Sequence, residues 1–302
     1  MDLQKYIDDS KKIVESTFTK YIDKNKDLYP KLKESMTYSF MAGGKRLRPA
    51  LMFLCYELSG KDKKDIAAAA CSIEMIHSYS LIHDDLPAMD DDDLRRGKPT
   101  NHKVFGEGMA ILAGDALLTD AFNLFLSINN KAKNENKIKA LQILSLRAGS
   151  VGMVGGQAVD LEYENFNLKI KSKKEMEEIL NYIHQHKTAD MIMASCEIGS
   201  ILSGDIENQK NISLFAQKIG LCFQIVDDIL DVIADKKKLG KSGSDSKNKK
   251  LTFVSLYGLQ KAKDIADKVY KEAFFALKKI KGKREKLDLL KEMTEFILRR
   301  DF

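Results

Sequence analysis

Two groups of aspartates have the composition of a binding site for a divalent cation. Six aspartates fall within the ten residues Asp84–Asp93, and three more, Asp227, Asp228 and Asp231, lie close together later in the chain. Like charges at this density are unfavourable unless a cation neutralises them. Magnesium takes oxygen ligands, usually one or two carboxylates completed by water and by substrate phosphates. The two segments therefore predict magnesium sites.

The two groups differ in how their carboxylates can converge. Asp227 and Asp231 are one helical turn apart and so project from one face of a helix. Asp84 and Asp90 are six residues apart and would point in different directions on a regular helix. Pro87, between them, removes a backbone hydrogen bond and forces a kink or bulge. We therefore expect Asp90 to turn back towards Asp84.

Both segments also admit an interpretation without metal chemistry. The second could be an acidic helix face in contact with solvent, but the residues around Asp227 and Asp228 are too apolar for an exposed helix. The consecutive aspartates Asp91, Asp92 and Asp93 are explained as well by capping and loop formation as by metal ligation. The metal interpretation therefore depends on the other members of each group.

Basic residues suited to phosphate lie next to the first group and also earlier in the chain. Residues 94–98 include Arg95 and Arg96, and residues 43–49 read Gly-Gly-Lys-Arg-Leu-Arg-Pro. Guanidinium groups bind phosphate in a bidentate manner, and glycines let backbone amides approach an anion. His77 could also reach a phosphate, although a packed core histidine explains it equally well. Acidic and basic clusters together indicate a phosphate that is bridged by metal.

The elements that must position these residues are helices. All four prolines lie at or before Pro99, and apolar residues recur at helical spacing in segments such as 66–80 and 176–189. Alternating strand patterns are hard to find. We expect an all-α bundle of about ten helices, with two unusually apolar helices near Ile66–Leu86 and Leu214–Ile233 in central positions. Each of these two leads into one of the aspartate groups.

The chain as a whole narrows the range of functions. Its 302 residues show no seam, so we expect one domain over residues 1–302. The net charge of +6 is spread over 50 basic and 44 acidic residues, too diffusely to predict a nucleic-acid partner. The four cysteines form no C-x-x-C pair, and we find neither a signal peptide nor an apolar window long enough for a membrane span. We expect a cytoplasmic protein with free thiols and no membrane insertion.

Several longer motifs occur in order along nearly the whole chain. They are Gly43–Pro49, His77–Gly97, Ile111–Ala116, Gly155–Gln157 and Phe223–Asp231. In these motifs the chain resembles the trans-polyprenyl diphosphate synthases, and among them it is most similar to the bacterial farnesyl diphosphate synthases. The resemblance implies an all-helical homodimer whose central cavity binds an allylic diphosphate through about three magnesium ions.

The resemblance also implies roles for individual residues. The principal metal ligands would be Asp84, Asp90 and Asp227, with support from Asp85, Asp228 and Asp231. The allylic diphosphate would be held by Arg95, Lys187, Thr188, Gln224 and Lys241. Isopentenyl diphosphate would be held by Lys45, Arg48, His77 and Arg96. Catalysis would rest mainly on Asp84, Asp90, Asp227, Arg95 and Lys187. Lys250 lies near a further lysine of the family, but Asn-Lys-Lys-Leu-Thr departs from the family's Gly-Lys-Ser-Thr.

The implied reaction follows from electrostatics. An allylic diphosphate ionises only when cations neutralise the charge that develops on the leaving group, and one opposite-charge contact near 4 Å is worth roughly 4 kcal/mol at an effective dielectric of 20. Isopentenyl diphosphate then alkylates the allylic cation, which an apolar cavity keeps from water, and a proton is lost. With dimethylallyl or geranyl diphosphate as the starter, the expected product is (2E,6E)-farnesyl diphosphate.

Product length is the finer question on which the sequence bears. Tyr79 lies five residues before Asp84, roughly 7.5 Å along a helix that rises 1.5 Å per residue. Its ring could close the bottom of the product pocket, although ordinary aromatic packing would also account for it. In the bacterial enzymes that the chain resembles, an aromatic residue at this position and the Pro87-Ala88 insertion accompany a fifteen-carbon product.

Three other functions compete with this one. A geranylgeranyl diphosphate synthase would use the same residues around a deeper pocket. A class I terpene cyclase has no need of a second diphosphate site, so Lys45, Arg48 and Arg96 argue against it. A non-catalytic partner subunit of another synthase could lose one aspartate motif, whereas both motifs are complete here.

Overall fold

The structure is a computed structural model that describes residues 2–164, 172–239 and 251–298. Two residues named from the sequence, Lys241 and Lys250, lie outside the described residues. The chain divides into two compact units, and two of the three boundaries between them in the sequence fall within helices. The single domain expected over residues 1–302 stays a prediction.

The first unit comprises Met1–Leu141 and Ile198–Gly204. Its helices are α1 (Leu3–Lys24), α2 (Pro30–Phe40), α3 (Leu47–Glu57), α4 (Ala67–Asp84), α5 (Asn101–Phe105), α6 (Glu107–Leu126) and the first part of α7 (Asn134–Ala148). A 3₁₀ turn, Lys63–Ile66, precedes α4, and a hairpin of two strands, β1 (Leu94–Arg95) and β2 (Lys98–Pro99), follows it.

Helix α4 is the centre of the first unit, since it packs against α1, α2, α3 and α6. Most of its residues are buried, as expected for an apolar helix that is surrounded by others. Helix α6 approaches it closely at Gly114, where a Cβ atom would lie 2.1 Å from Nε2 of His83. The absence of a side chain at Gly114 therefore sets the distance between the two helices next to the first aspartate group.

The second unit comprises Gln142–Glu197 and Asp205–Phe302. It contains the rest of α7, then α8 (Met153–Glu164), α9 (Lys173–Ile183), a π-helical segment (His184–Ala189), α10 (Asp190–Ser203, which ends in the first unit), α11 (Gln209–Leu239), α12 (Phe253–Tyr257), α13 (Leu259–Leu277) and α14 (Arg284–Leu298). Helix α11 packs against α12, α13, α14 and the π-helical segment. Its buried side chains Ile225, Val226 and Ile229 form a core with Phe253 and Ala262.

The all-α fold class is confirmed, and the two apolar helices lie close to where they were expected. The described residues contain fourteen α-helices rather than about ten, and two of these, α5 and α12, have only five residues. Single residues, Gly106 and Gly258, separate these short helices from the long ones that follow. The hairpin was not expected at all. The central cavity stays a prediction.

One expectation about membrane segments is wrong. Helix α6, Glu107–Leu126, is long and apolar enough by length and composition to cross a membrane, although no such window was expected from the sequence. In the structure it packs against α2, α4 and α5, and 39% of its most apolar window is buried. A core helix of a soluble protein passes the same test of length and composition.

Candidate active site

The hairpin after α4 positions two of the arginines that were expected to bind phosphate. Its antiparallel strands pair Leu94 with Pro99 and Arg95 with Lys98. The two residues of the turn, Arg96 and Gly97, have φ angles of 54° and 75°. Positive φ at both positions is typical of the type I′ turn, whose twist matches that of the flanking strands. Arg95 therefore lies on strand β1, and Arg96 lies at the tip of the hairpin.

Arg95 is held by the second aspartate of the first group. Its Nε and Nη2 atoms both lie 2.5 Å from Oδ1 of Asp85, and Nη2 lies 3.3 Å from Oδ2 of Asp92. Burial raises the pKa of Asp85, while the charge of Arg95 lowers it. Only 3% of Asp85 is exposed, so its carboxylate is buried against the arginine.

The backbone after α4 folds back on itself as expected from Pro87. The helix ends at Asp84, and the amide of Asp90 donates a hydrogen bond of 2.9 Å to the carbonyl oxygen of Asp84. The amide of Asp91, whose φ is 52°, donates to the carbonyl of Leu86 at 3.1 Å. The backbones of Asp84 and Asp90 are therefore adjacent, although six residues separate them.

The residues assigned to isopentenyl diphosphate lie around the loop between α2 and α3. The guanidinium of Arg96 donates a hydrogen bond to the carbonyl oxygen of Gly43 and covers Gly44, where a Cβ would lie 2.6 Å from Nη1. Burial lowers the pKa of His77 well below its ordinary value, and the charges of Arg48 and Arg96 lower it further. The structure thus brings these three side chains near one another within the first unit.

Lys45 and Arg48 complete this set. Lys45 is exposed on the same loop, and Arg48 lies in the first turn of α3. The imidazole of His77 can offer a phosphate a hydrogen bond. The positive charges of Lys45, Arg48 and Arg96 lie in the same part of the first unit.

In the second unit, the π-helical segment presents Lys187 and Thr188. The Lys187 Nζ atom donates to Oδ2 of Asp160 on α8 at 2.5 Å. The Thr188 hydroxyl donates to Oε1 of Gln224 at 2.7 Å, and the amide nitrogen of Gln224 donates to Oδ1 of Asp228 at 3.1 Å. Three residues expected to hold the allylic diphosphate are therefore placed together, and a chain of hydrogen bonds joins two of them to the second aspartate group.

The three aspartates of the second group have different surroundings on α11. Asp228 is buried and accepts a hydrogen bond of 2.9 Å from the backbone N–H of Phe253. Burial raises the pKa of Asp228 to about 6 against the effect of that hydrogen bond. Asp227 is half-buried and Asp231 is exposed, one turn apart on a continuous helix. Those two carboxylates are the accessible ones.

The carboxylates fit magnesium by their donor chemistry. Within the described ranges, no group of three or more His, Cys, Asp or Glu side chains is arranged to hold a metal ion. Magnesium does not require such a cage, since one or two carboxylates with water and phosphate oxygens complete its octahedron. The pairs Asp84 with Asp90, and Asp227 with Asp231, supply that number within each unit.

Two polar residues near Lys187 were not identified from the sequence. Asp160, the partner of Lys187, lies 27 residues before it in the chain. Gln157 has both amide atoms buried without a hydrogen-bond partner in the part of the chain that the structure describes. The Gly155-Gly156-Gln157 motif is the sequence signal closest to these residues, and its pattern alone indicates no role.

Gly156 explains part of that motif. A Cβ atom at Gly156 would lie 2.2 Å from the backbone nitrogen of Lys187 and 2.8 Å from the carbonyl carbon of His186. Because these are backbone atoms, they cannot move aside as a flexible side chain can. Helix α8 therefore packs directly against the backbone of the π-helical segment, and this contact fixes the position of the Lys187 backbone.

We expect Gly156→Ala to lower the free energy of unfolding by about 1–3 kcal/mol, the usual cost of overpacking a tight contact. The measurement is denaturant unfolding followed by circular dichroism. The matched control is Gly108→Ala on α6, where a Cβ would meet nothing within 4 Å. It should leave stability unchanged or raise it by up to about 1 kcal/mol, since alanine favours helix over glycine. Equal stability of Gly156→Ala and the wild type would contradict the close contact.

Comparison with known proteins agrees with this arrangement. A family model described as polyprenyl synthetase matches residues 29–293. The farnesyl diphosphate synthase of Bacillus subtilis (strain 168) is 44% identical over 302 residues, covering 99% of this chain and 98% of that protein. The farnesyl diphosphate synthase of Geobacillus stearothermophilus is 45% identical over 267 residues, or 87% of each protein.

A solved structure is also similar to this chain over nearly its whole length. The apo structure of an FPP/GFPP synthase from Zymomonas mobilis has a TM-score of 0.84 and 32% sequence identity, and the match covers 98% of both chains. The family match spans most of the chain, and the relatives are similar along nearly its whole length. The chain therefore belongs to the polyprenyl synthetase family.

Proposed function

We propose that the protein is a magnesium-dependent farnesyl diphosphate synthase that condenses isopentenyl diphosphate with dimethylallyl or geranyl diphosphate. The observation that carries the proposal is the pairing of opposite charges in the first unit. An acidic turn lies beside a hairpin whose Arg95 contacts that turn through Asp85 and whose Arg96 contacts the Gly43–Pro49 loop. Carboxylates for a metal and cations for a diphosphate are thus adjacent.

The metal ligands are proposed to be the accessible carboxylates. Asp84 and Asp90 serve in the first unit, and Asp227 and Asp231 in the second, for about three magnesium ions in total. Asp85 and Asp228 support them indirectly, because their carboxylates are buried against Arg95 and the Phe253 amide. When bound, magnesium neutralises the negative charge that develops on the diphosphate leaving group.

The other side chains bind and orient the two substrates. Arg95, Lys187, Thr188 and Gln224 are assigned to the allylic diphosphate, together with Lys241, which lies outside the described residues. Asp160 holds the Lys187 ammonium group in place, and Gln224 holds the hydroxyl of Thr188. Isopentenyl diphosphate is assigned to Lys45, Arg48, His77 and Arg96. Holding both substrates in a fixed orientation lowers the barrier for their reaction.

Tyr79 is proposed to limit the length of the product. Its side chain lies on α4 before Asp84, and 6% of the residue is exposed. Burial and then the charge of Asp84 raise the pKa of Tyr79 to about 12, so the ring is neutral at physiological pH. The ring of His83 packs edge-on against it, with 5.7 Å between the ring centres. A neutral, braced aromatic ring is suited to end an apolar pocket.

The remaining parts of the proposal concern the whole protein. A homodimer in the cytoplasm, without membrane insertion and without a nucleic-acid partner, is the state that we expect. The proposal of a dimer is supported by helix α6, which exposes the apolar side chains of Ile111, Leu112 and Leu126. The proposal of a reducing compartment is supported by the four cysteines, all of which are buried thiols outside disulfide bonds.

A product assay tests the function. Purified protein with isopentenyl diphosphate and either starter should release pyrophosphate and form a fifteen-carbon product when magnesium is present. A chelator should reduce turnover to background, and added magnesium should restore it, because the leaving group then regains its counter-charge. A twenty-carbon product would indicate a geranylgeranyl diphosphate synthase instead. No turnover at all with either starter would favour a non-catalytic partner subunit.

A further inference from the structure

The loop between α2 and α3 contains one residue that is strained without an obvious local reason. Gly43, Gly44 and Arg46 have φ angles of 98°, 107° and 50°. Glycine adopts such angles freely, whereas a residue with a Cβ atom in the left-handed region costs of the order of 1–2 kcal/mol. Contacts of the Arg46 side chain must therefore hold this conformation.

Those contacts are extensive and buried. Arg46 is 3% exposed, and its Nη1 atom lies 2.6 Å from Oε1 of Glu74, which is 2% exposed. Its Nη2 atom donates to the carbonyl oxygen of Phe40, and its guanidinium carbon lies 4.9 Å from the centre of the Phe40 ring. Glu15 is 3.7 Å from Nη2. Arg46 thus connects α1, α2 and α4 beneath the loop.

The position of this pair links the parts of the isopentenyl diphosphate site. Arg46 precedes the first residue of α3. The phosphate-binding candidates Lys45 and Arg48 lie one residue before it and two residues after it. Glu74 lies three residues before His77 on α4. Residues three apart on a helix face the same side, so the carboxylate and the imidazole project towards the same loop.

Stability alone is a poor explanation for the pair. Removing two charges from water costs several kcal/mol for each ion, and replacing a buried ion pair by apolar residues is often neutral or stabilising. The fork of Arg46, in contrast, reaches a carboxylate and a carbonyl group on two different helices, a geometry that a lysine point charge does not reproduce. The pair therefore specifies the shape of the loop.

We propose that Arg46 and Glu74 are positioning residues for the isopentenyl diphosphate subsite. Their ion pair holds the left-handed turn that aims Lys45 and Arg48 at the diphosphate, and Glu74 balances one of the clustered cations. Neither residue touches the substrate, because the carboxylate and the two terminal guanidinium nitrogens are engaged with each other and with the Phe40 carbonyl. This inference rests on the proposed function.

Steady-state kinetics with each substrate varied in turn tests the proposal. Arg46→Lys and Glu74→Gln should raise the KM for isopentenyl diphosphate about tenfold or more, while kcat and the KM for geranyl diphosphate stay within about twofold of wild type. The matched control is Glu57→Gln, at the other end of α3, where a buried carboxylate accepts a hydrogen bond from Tyr6 at 2.5 Å. It should leave both KM values unchanged.

A double variant separates positioning from folding. In Arg46→Met with Glu74→Leu, apolar side chains replace the pair, so the protein should fold with near-native thermal stability while the KM for isopentenyl diphosphate stays high. Hydrogen exchange gives a readout that requires no substrate. Amides in a peptide spanning residues 43–50 should exchange faster in the double variant than in the wild type or in Glu57→Gln.

The outcomes are distinct. Unchanged exchange in residues 43–50, an unchanged KM for isopentenyl diphosphate in the folded variants, or an equal rise in both KM values would overturn the positioning role. Wild-type protein without any synthase activity would instead remove the proposed function, while the exchange result would still report on the loop.

Discussion

Replacing Asp84 or Asp227 by alanine is expected to lower kcat by about 10²-fold or more, the scale seen when a group that stabilises transition-state charge is removed. Each replacement takes one accessible carboxylate from a group that supplies only about two such ligands. The metal that it holds would then fail to neutralise the leaving diphosphate. The measurement is pyrophosphate release at saturating concentrations of both substrates, with magnesium titrated to confirm that a higher concentration rescues only part of the rate.

Asp92→Ala is the matched control for this experiment. Asp92 is exposed and belongs to the same acidic run, but its carboxylate lies 3.3 Å from Arg95, whereas Asp85 lies 2.5 Å from that arginine. We expect its kcat to remain within about fivefold of wild type, because an exposed ion pair contributes little. Full activity in Asp84→Ala and Asp227→Ala would refute the metal assignment, whatever the control shows.

Tyr79→Ala is expected to shift the main product from fifteen to twenty or more carbons. The substitution removes the ring that is proposed to end the pocket and leaves Asp84, five residues further along, unchanged. The growing chain can then extend past the former ring towards the N-terminal end of α4. The measurement is chromatography of the dephosphorylated products after incubation with excess isopentenyl diphosphate.

Tyr79→Phe controls for the ring itself, because it keeps the volume and removes only the hydroxyl. It should give the wild-type product distribution. If Tyr79→Ala folds, turns over and still stops at fifteen carbons, the ring does not limit product length. The edge-on contact between Tyr79 and His83 would then be ordinary packing.

The parts of the site that could be predicted from the sequence depend on regular helix geometry or on proline. Asp227 and Asp231 lie one turn apart on a continuous helix, as their spacing requires. The return of Asp90 towards Asp84 follows from Pro87, which cannot donate a hydrogen bond inside a helix. In both cases a few consecutive residues contain all of the information.

Other features depend on contacts between distant residues and could not be predicted. The hairpin strands have two residues each, which is too few for an alternating pattern to mark them in the sequence. Asp160 and Lys187 meet because α8 packs against the π-helical segment at Gly156. No local pattern marks a carboxylate 27 residues away as the partner of a lysine.

The basic loop between α2 and α3 also contains contacts that could not be predicted, although its residues are close together in the sequence. Its three cations, Lys45, Arg46 and Arg48, look equivalent as a cluster in the sequence. The structure separates them, because Arg46 turns into the protein to meet Glu74, while Lys45 is exposed and Arg48 begins α3. The left-handed φ of Arg46 causes this division, and a backbone angle at a non-glycine residue has no sequence signature.

The π-helical segment His184–Ala189 has a consequence for comparing relatives of this protein. A π turn holds an extra residue relative to an α turn, so it rotates everything after it about the helix axis. A relative that lacks one residue between positions 183 and 190 would form an uninterrupted helix from α9 into α10, with Lys187 and Thr188 turned to another side. A one-residue gap in an alignment at this place therefore identifies chains in which Lys187 and Thr188 face a different side of the helix, even where both residues are retained.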